Sequence, residues 1–334
     1  MNAAQQMKVA QQLKGAPHLE GGADQEFLES APCALCGASS FRVIRKAEYP
    51  KDLDLNALLK VYCSSSDHKL MDQLVECNQC KLVYLAPRVK KEIALRSYSD
   101  AIDPTFVQQN HFRINTFKRA LRKFCNTVNI VPKPSLRVLD VGCAGGAFVK
   151  AASDAGFTAI GVEPSKWMVE HGKKEYGLDL RAGLLEDQGF EPESFDIVTL
   201  WDVVEHLYNP TEVLNECKKV LKPGGYLIVN YPDYGSLARR TLGWKWPFFL
   251  SVHLFYFTPR TIRMLIEKLG FSVVKISPFF QTLELAYVCK RAAPYIPPAG
   301  WAGSLLKAVG LGKVPFTYNV GQTMVIAKKD ERKK

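Results

Sequence analysis

The stretch RVLDVGCAGGAFVKAASDAGF, from Arg137 to Phe157, reads as a buried strand, a glycine-rich turn and the start of a helix. A chain built this way places a nucleotide-like ligand against the turn and the helix N-terminus. A dinucleotide fingerprint beginning at Gly142 requires glycines at 144 and 147, where the sequence has Ala144 and Ala147. Asp140 stands two residues before Gly142 at the strand end. A carboxylate there repels a pyrophosphate and suits a ligand that carries positive charge. The next strand, TAIGVEPS, ends in Glu163, 21 residues after Gly142, a spacing suited to gripping both hydroxyls of a ribose. The expected ligand is an adenosine-type molecule without a pyrophosphate.

Downstream of Ser135 the apolar runs LRVLDV, FTAIGVE, FDIVTLW and GYLIVNYP alternate with helical stretches at Gly146 to Ala155, Lys166 to Tyr176 and Thr211 to Leu221. This alternation predicts an α/β domain, a mostly parallel sheet covered on both faces. A helix from Pro259 to Leu269, a strand FSVVKIS, helical stretches near 283–291 and 301–309 and a closing strand NVGQTMVIAKK follow. Residues 1–30 lack periodicity and read as a flexible tail, and residues 88–132 as a helical connector ending at Pro132 and Pro134.

The 334 residues, 47% hydrophobic and 23% charged, suffice for a sizeable core and exclude fibrous and disordered classes. No export signal and no membrane-length apolar run is present, so a cytoplasmic location is expected. The net charge of +11 is scattered over Arg88 to Lys91, Lys118 to Lys123, Arg239 to Arg240 and the basic tail 331–334 with the lysines before it. That scatter reads as solvated surface rather than a nucleic-acid footprint, and leaves room for an anionic acceptor.

Residues 31–87 contain PCALCG and ECNQCK, which place Cys33, Cys36, Cys77 and Cys80 in two C-x-x-C knuckles. Each turn offers two thiolates to one ion, and a closed structural Zn(II) site in a small zinc-ribbon-like domain is expected. Cys63 and His68 fall in the intervening 40 residues as substitute ligands. Unmetallated buried thiols or a redox pair are the alternatives.

From Leu136 to Lys329 the segments VLDVGCAGG, GVEPS, FDIVTLWDVVEHLYNP, VLKPGGYLIVNYP and HLFYFT resemble, in order and spacing, the class I S-adenosylmethionine-dependent methyltransferases. The resemblance implies a Rossmann-like, seven-stranded sheet over residues 133–330 and S-adenosylmethionine (SAM) as cofactor. It implies cofactor contacts from Asp140, Gly142, Cys143, Ala144, Gly145, Gly146, Glu163, Pro164, Leu185, Glu186, Trp201 and Asp202. The family's first motif has a glycine where this chain has Ala144, so altered loop packing is expected rather than lost binding. Its adenine site often has an acid where this chain has Leu184. The pairing of cysteine knuckles with such a core also resembles bacterial methyltransferases of sugar and natural-product pathways, although this chain lacks the additional C-terminal domain of the sugar enzymes.

Methyl transfer from a sulfonium requires alignment and removal of an acceptor proton. WDVVEHL supplies Asp202, Glu205 and His206 in one turn. His206 reads either as general base or as a cofactor-shaping residue. D-x-x-E-H also resembles the E-x-x-E-H of ubiquinone-pathway O-methyltransferases, where the acids and histidine are associated with a divalent ion. In GWKWPFFLSVHLFYFTP, His253 and Tyr256 are candidate acceptor contacts or bases, and Trp244, Trp246, Phe248 and Phe249 form a candidate lid. The expected activity is methylation of an oxygen or carbon of a small molecule, a carbohydrate or secondary-metabolite intermediate. An RNA or protein methyltransferase and a catalytically silent binding protein are the competing readings.

Overall fold

The computed structural model describes residues 27–49, 55–62, 68–99, 102–293, 296 and 298–331. Of the tail expected over residues 1–30, residues 1–26 lie outside the described residues, as do Cys63 and the last three residues. Leu28–Glu29 instead pairs antiparallel with Arg88–Val89, which buries Leu28. Three short strands then lead toward the core: β1 (Phe41–Arg45), β2 (Leu74–Cys77) and β3 (Val83–Leu85). The region expected to be helical before Pro132 forms Lys91–Ser99, Pro104–Val107 and a long α1 (Asn110–Val128). The break before Pro104 is fixed by Asp103, whose carboxylate accepts from the Phe106 amide at 2.9 Å.

The alternating part follows as β4 (Arg137–Val141), α2 (Ala147–Ala155), β5 (Thr158–Glu163), α3 (Lys166–Tyr176), β6 (Leu180–Ala182), β7 (Phe195–Trp201), α4 (Pro210–Val220) and β8 (Leu221–Pro232). Then come β9 (Phe255–Tyr256), α5 (Pro259–Lys268), β10 (Phe271–Pro278), β11 (Gln281–Glu284), α6 (Leu285–Ala292), α7 (Pro298–Ala308), β12 (Pro315–Tyr318) and β13 (Gln322–Lys329). Seven strands form one sheet in the order β10, β13, β8, β7, β4, β5, β6. β13 runs antiparallel to both its neighbours and the remaining pairs are parallel. This is the Rossmann-like sheet of the expected class.

Period-two alternation divides the core between the two faces. Val138, Ile197, Ile228 and Ile326 pack under Leu121 and Phe124 of α1 and Phe148 of α2. Leu139, Val198, Leu227 and Val325 pack on the other side against Leu214 of α4 and Ile262 and Leu265 of α5. Phe124 and Phe148 are fully buried, worth about 2–3 kcal/mol each in area removed from water. The chain leaves β4 in opposite directions along the sheet, toward β5 and then toward β7, and a crevice opens at that reversal beyond the strands' carboxyl ends.

The cysteine region is not packed separately from this core. β1, β2 and β3 form an antiparallel sheet whose fourth strand is β9, with Phe255 opposite Tyr84 and Tyr256 opposite Val83. Cys33, Cys77 and Leu85 belong to the same apolar cluster as Leu200, Phe255 and Ile262. Buried Asp72 accepts hydrogen bonds from the hydroxyls of Tyr49, at 2.8 Å, and Tyr62. The adjacent Met71 amide donates to Ser251 Oγ at 3.0 Å. The segment after β8 is thereby laced to residues 180 positions earlier.

Candidate active site

The glycine turn after β4 closes in a strained conformation. Gly142, Ala144 and Gly146 all have positive φ, at 73°, 45° and 78°. Gly142 is required for a second reason: a Cβ there would lie 2.6 Å from Cγ2 of Val203, in the loop after β7. The amides of Gly142 and Cys143 donate to Val162 O, and that of Gly146 to Cys143 O. The Ala144 amide donates to Glu163 at 3.0 Å. These four N–H groups are spent within the protein, so the turn lacks the row of free donors that a pyrophosphate needs.

Asp140 is 2% exposed and accepts from the Thr199 hydroxyl of β7 at 2.6 Å. Burial pushes its carboxyl up to about 8, against the opposing effect of that hydrogen bond, and nearby Glu163 adds to the rise. Glu163, also buried, accepts from the amides of Ala144 and Ser165. Its remaining lone pairs are available to ribose hydroxyls. Burial raises its carboxyl as well, those two amides opposing the rise. Pro164 is half-buried beside it, and Leu185 is buried at the start of a short 3-10 turn with Glu186 exposed. In place of the absent acid at Leu184, Asp187 accepts from the Leu184 amide at 3.4 Å. Cys143 is buried against Val149, Val169 and Leu180.

The wall opposite the turn comes from a residue that the sequence reading passed over. Asn110, at the start of α1, donates from Nδ2 to Gly145 O at 3.3 Å, and a Cβ on Gly145 would collide with it at 2.8 Å. One helical turn later, Arg113 lays its guanidinium over the Phe106 ring at 3.9 Å, and its Nε finds no acceptor. Burial lowers its pKa, offset by Tyr287, Asp202 and Tyr318. A buried cation with an unpaired Nε, within electrostatic reach of Asp202 and one helical turn from the Asn110 contact to Gly145, is suited to a ligand's carboxylate. The only sequence signal is the i, i+3 pair Asn110 and Arg113, which the basic residues of the same helix conceal.

Trp201 ends β7 buried among Phe117, Phe148 and Phe279. Asp202 follows with φ 54°. It accepts from Asn230 at 2.8 Å, Gln322 at 2.7 Å and Gln281 at 3.2 Å, a network joining β8, β13 and β11. This separates Asp202 from the other two members of its motif.

Glu205 and His206 instead converge with His253, the three ligand atoms lying within 4.8 Å of one another. Glu205 is 2% exposed and neither carboxylate oxygen has a hydrogen-bond partner. His206 Nδ1 lies 3.1 Å from Val252 O, and His253 Nδ1 2.8 Å from Phe248 O. In each ring Nδ1 carries the proton toward the carbonyl, which turns the Nε2 lone pair to the cluster. His206 Nε2 is 3.9 Å from Glu205. Burial brings His206 down to about 4 and His253 well below the ordinary imidazole range, while it raises Glu205 well above the carboxylate range. Tyr256 is buried in the seam between the two sheets, and its hydroxyl donates to Leu250 O at 3.0 Å. Of the four aromatic residues expected as a lid, Trp246 and Phe249 are core residues, Phe248 is half-buried and Trp244 is exposed. Trp246 also donates its indole N–H to Val320 O at 2.7 Å.

The four cysteines meet at the far side of β9. Cys33 and Cys80 lie 3.4 Å apart, Cys36 and Cys77 3.5 Å, and all four sulfurs fall within 4.8 Å. Burial raises Cys33, and raises Cys80 to about 11. At Cys77 the burial penalty is outweighed by the amides of Cys80 and Gln79, and the thiol falls below its ordinary range. Four sulfurs so arranged match the donor set and closure of a tetrahedral site.

Ala144 occupies the left-handed region at a cost of about 1 kcal/mol, a cost glycine does not incur. Ala144→Gly is therefore expected to keep the fold and to match or exceed the wild type in stability by up to about 1 kcal/mol. Chemical denaturation reads this directly, and a loss of stability would show that the methyl group packs favourably.

A methyltransferase-domain family model matches residues 110–276. The chain is 36% identical over 102 residues to the ubiquinone biosynthesis O-methyltransferase of Actinobacillus pleuropneumoniae, a match covering 28% of this chain and 44% of that protein. It is 38% identical over 106 residues to the corresponding enzyme of Xanthomonas campestris, covering 30% and 44%. The matches thus span less than half the length of these curated relatives. Among solved structures, a SAM-dependent methyltransferase from Archaeoglobus fulgidus aligns with 68% of this chain and 100% of its own, at TM-score 0.46 and 23% identity. Magnesium protoporphyrin IX methyltransferase from Synechocystis, solved with bound S-adenosylhomocysteine, aligns with 69% and 90%, at TM-score 0.44 and 16% identity. With its sheet order, glycine turn and half-chain family match, the chain belongs to the methyltransferase-domain family of class I, SAM-dependent fold.

Proposed function

We propose that the protein transfers the methyl group of SAM to an oxygen of a hydroxyl-bearing small molecule, and that its cysteine cluster holds a structural Zn(II). The observation that carries the first part is the convergence of Glu205, His206 and His253 beside the end of β7, the strand next to the glycine turn in the sheet. The relatives named above are O-methyltransferases, which favours oxygen over carbon. A carbohydrate or secondary-metabolite acceptor remains the wider class.

In this reading the glycine turn and Arg113 hold the methionine end of the cofactor, Asp140 faces its positive charge, and Glu163 holds the ribose. When bound, SAM would supply an activated methyl group to the acceptor oxygen and leave as S-adenosylhomocysteine, with the carbon–sulfur electron pair on sulfur. The acceptor proton passes to His206 Nε2, whose tautomer is fixed by Val252 O. Glu205, when ionised, stabilises the imidazolium that results.

A second reading rests on the same three groups. Both histidines anchor Nδ1 on a backbone carbonyl, the arrangement of metal-ligating imidazoles. A divalent ion held there would lower the acceptor's pKa. Its ligands would be Glu205, His206 and His253, with Asp202 outside the set.

His206→Gln is expected to lower kcat about 100-fold or more while cofactor affinity stays within a few-fold. Labelled-methyl transfer and calorimetry separate the two quantities. Wild-type activity that survives exhaustive chelation would eliminate the divalent-ion reading, and unchanged kcat in the variant would remove His206 as base.

Asp140 yields a pH prediction. Burial keeps its carboxyl protonated below about 8, whereas a sulfonium and ammonium ligand favours the ionised form. Binding therefore releases a proton, and SAM affinity should rise with pH up to about 8 and then level off. Asp140→Asn should flatten this profile, measured by calorimetry in buffers of different ionisation enthalpy.

For the cysteine cluster, metal analysis should find one zinc per chain in protein purified without chelator. Cys80→Ser should lose it and on the order of 3 kcal/mol of stability. Zinc-free protein of wild-type stability would overturn the assignment.

A further inference from the structure

We propose that the insertion between β11 and β12, helices α6 and α7, is a docking surface for an anionic lipid bilayer. Its exposed side is apolar: Ile296, Trp301, Leu305, Val309, Leu311 and Phe316 are 58%, 85%, 65%, 59%, 51% and 43% exposed. Of α7 only Gly303 is buried, seated on α6 where a Cβ would approach that of Cys289 to 2.9 Å. A helix whose one fully buried residue is a glycine presents most of its surface outward, and patches of this kind on a protein surface mark interaction sites.

Charge identifies the occupant. From Leu285 to Lys329 the sequence contains no Asp or Glu, while Lys290, Arg291, Lys307 and Lys313 lie within the insertion itself. Two copies of this face would oppose like charges, which disfavours self-association. Exposed tryptophan and leucine beside lysine is the composition of a surface that rests in the headgroup region of a membrane. A second basic feature adjoins it. An open cavity of about 450 Å³ is lined by Arg119, Arg122, Lys123, Asn126, Thr127 and Lys275. Arg119 donates to Thr317 Oγ1 at 3.4 Å, which ties the cavity to β12, the strand into which the insertion leads. The insertion thus supplies apolar side chains for the acyl boundary, and its own lysines together with the cavity supply cations for phosphate headgroups. Among the described residues no helix is long and apolar enough to span a membrane, so the contact is interfacial.

The test is flotation of the full chain with vesicles of phosphatidylcholine mixed with phosphatidylglycerol, and with phosphatidylcholine alone. The wild type should float with the anionic vesicles, less at high salt, and not with the neutral ones. Trp301→Ser with Leu305→Ser, and Lys307→Glu with Lys313→Glu, should each weaken flotation by about tenfold or more. S-adenosylhomocysteine binding should be retained in both, which shows that these surface changes leave the fold intact. Failure of the wild type to float, or flotation unchanged by both double variants, would overturn the proposal. Displacement by inorganic phosphate would reassign the cations to a soluble anion, and a dimer abolished by the apolar variant without any flotation would reassign the face to self-association. Loss of methyl transfer with flotation intact would sink the preceding reading and leave this one standing.

Discussion

The hydrogen bond from Thr199 to Asp140 joins β7 to β4 where the sheet reverses direction. It holds a carboxyl group, almost wholly withdrawn from water, at the floor of the cleft. Such a group is costly to ionise alone and cheap to ionise against a cation, so the cleft discriminates by charge before any shape is read. The neighbouring turn enforces the same choice, because its amides are already bonded to Val162, Glu163 and Cys143. The rest of the site is arranged around that exclusion. Glu163 accepts from the Ala144 amide and so clamps that residue in its left-handed conformation.

A second constraint is the seam between the cysteine sheet and the large sheet. Residues 248–256 supply the carbonyls that orient His206 and His253 and the strand that completes the cysteine sheet. Leu85 N donates to Leu254 O and Phe255 N to Glu205 O. One extended segment is therefore held by the cysteine sheet on one side and by the turn after β7 on the other. The imidazoles owe their tautomers to backbone geometry that neither module would fix by itself.

Much of this was legible in the sequence for local reasons. The strand, turn and helix around Gly142 rely on glycine chemistry within a few residues, as do the two cysteine knuckles, and Glu163 follows from the length of one β-α-β unit. What escaped depends on contacts distant in sequence. Arg113 is one of several basic residues on its helix until the fold buries it against Phe106 and within reach of Asp202. Asp202 looks like part of a D-x-x-E-H cluster, yet its left-handed backbone and partners on β8, β11 and β13 take it elsewhere. β9 is two residues long and pairs with β3, Phe255 opposite Tyr84 and Tyr256 opposite Val83, a separation beyond any periodicity. The aromatic run around Trp246 reads as a lid because rings near a cofactor often exclude water, but burial of Trp246 and Phe249 makes most of it core.

The shared strand has a consequence for how such a protein can diversify. Drift in the cysteine sheet, even at positions remote from the cleft, changes the tension on residues 248–256 and hence the aim of two imidazole nitrogens. On the proposed assignment, a new acceptor is then accommodated from behind Glu205, His206 and His253, leaving the residues around the glycine turn untouched.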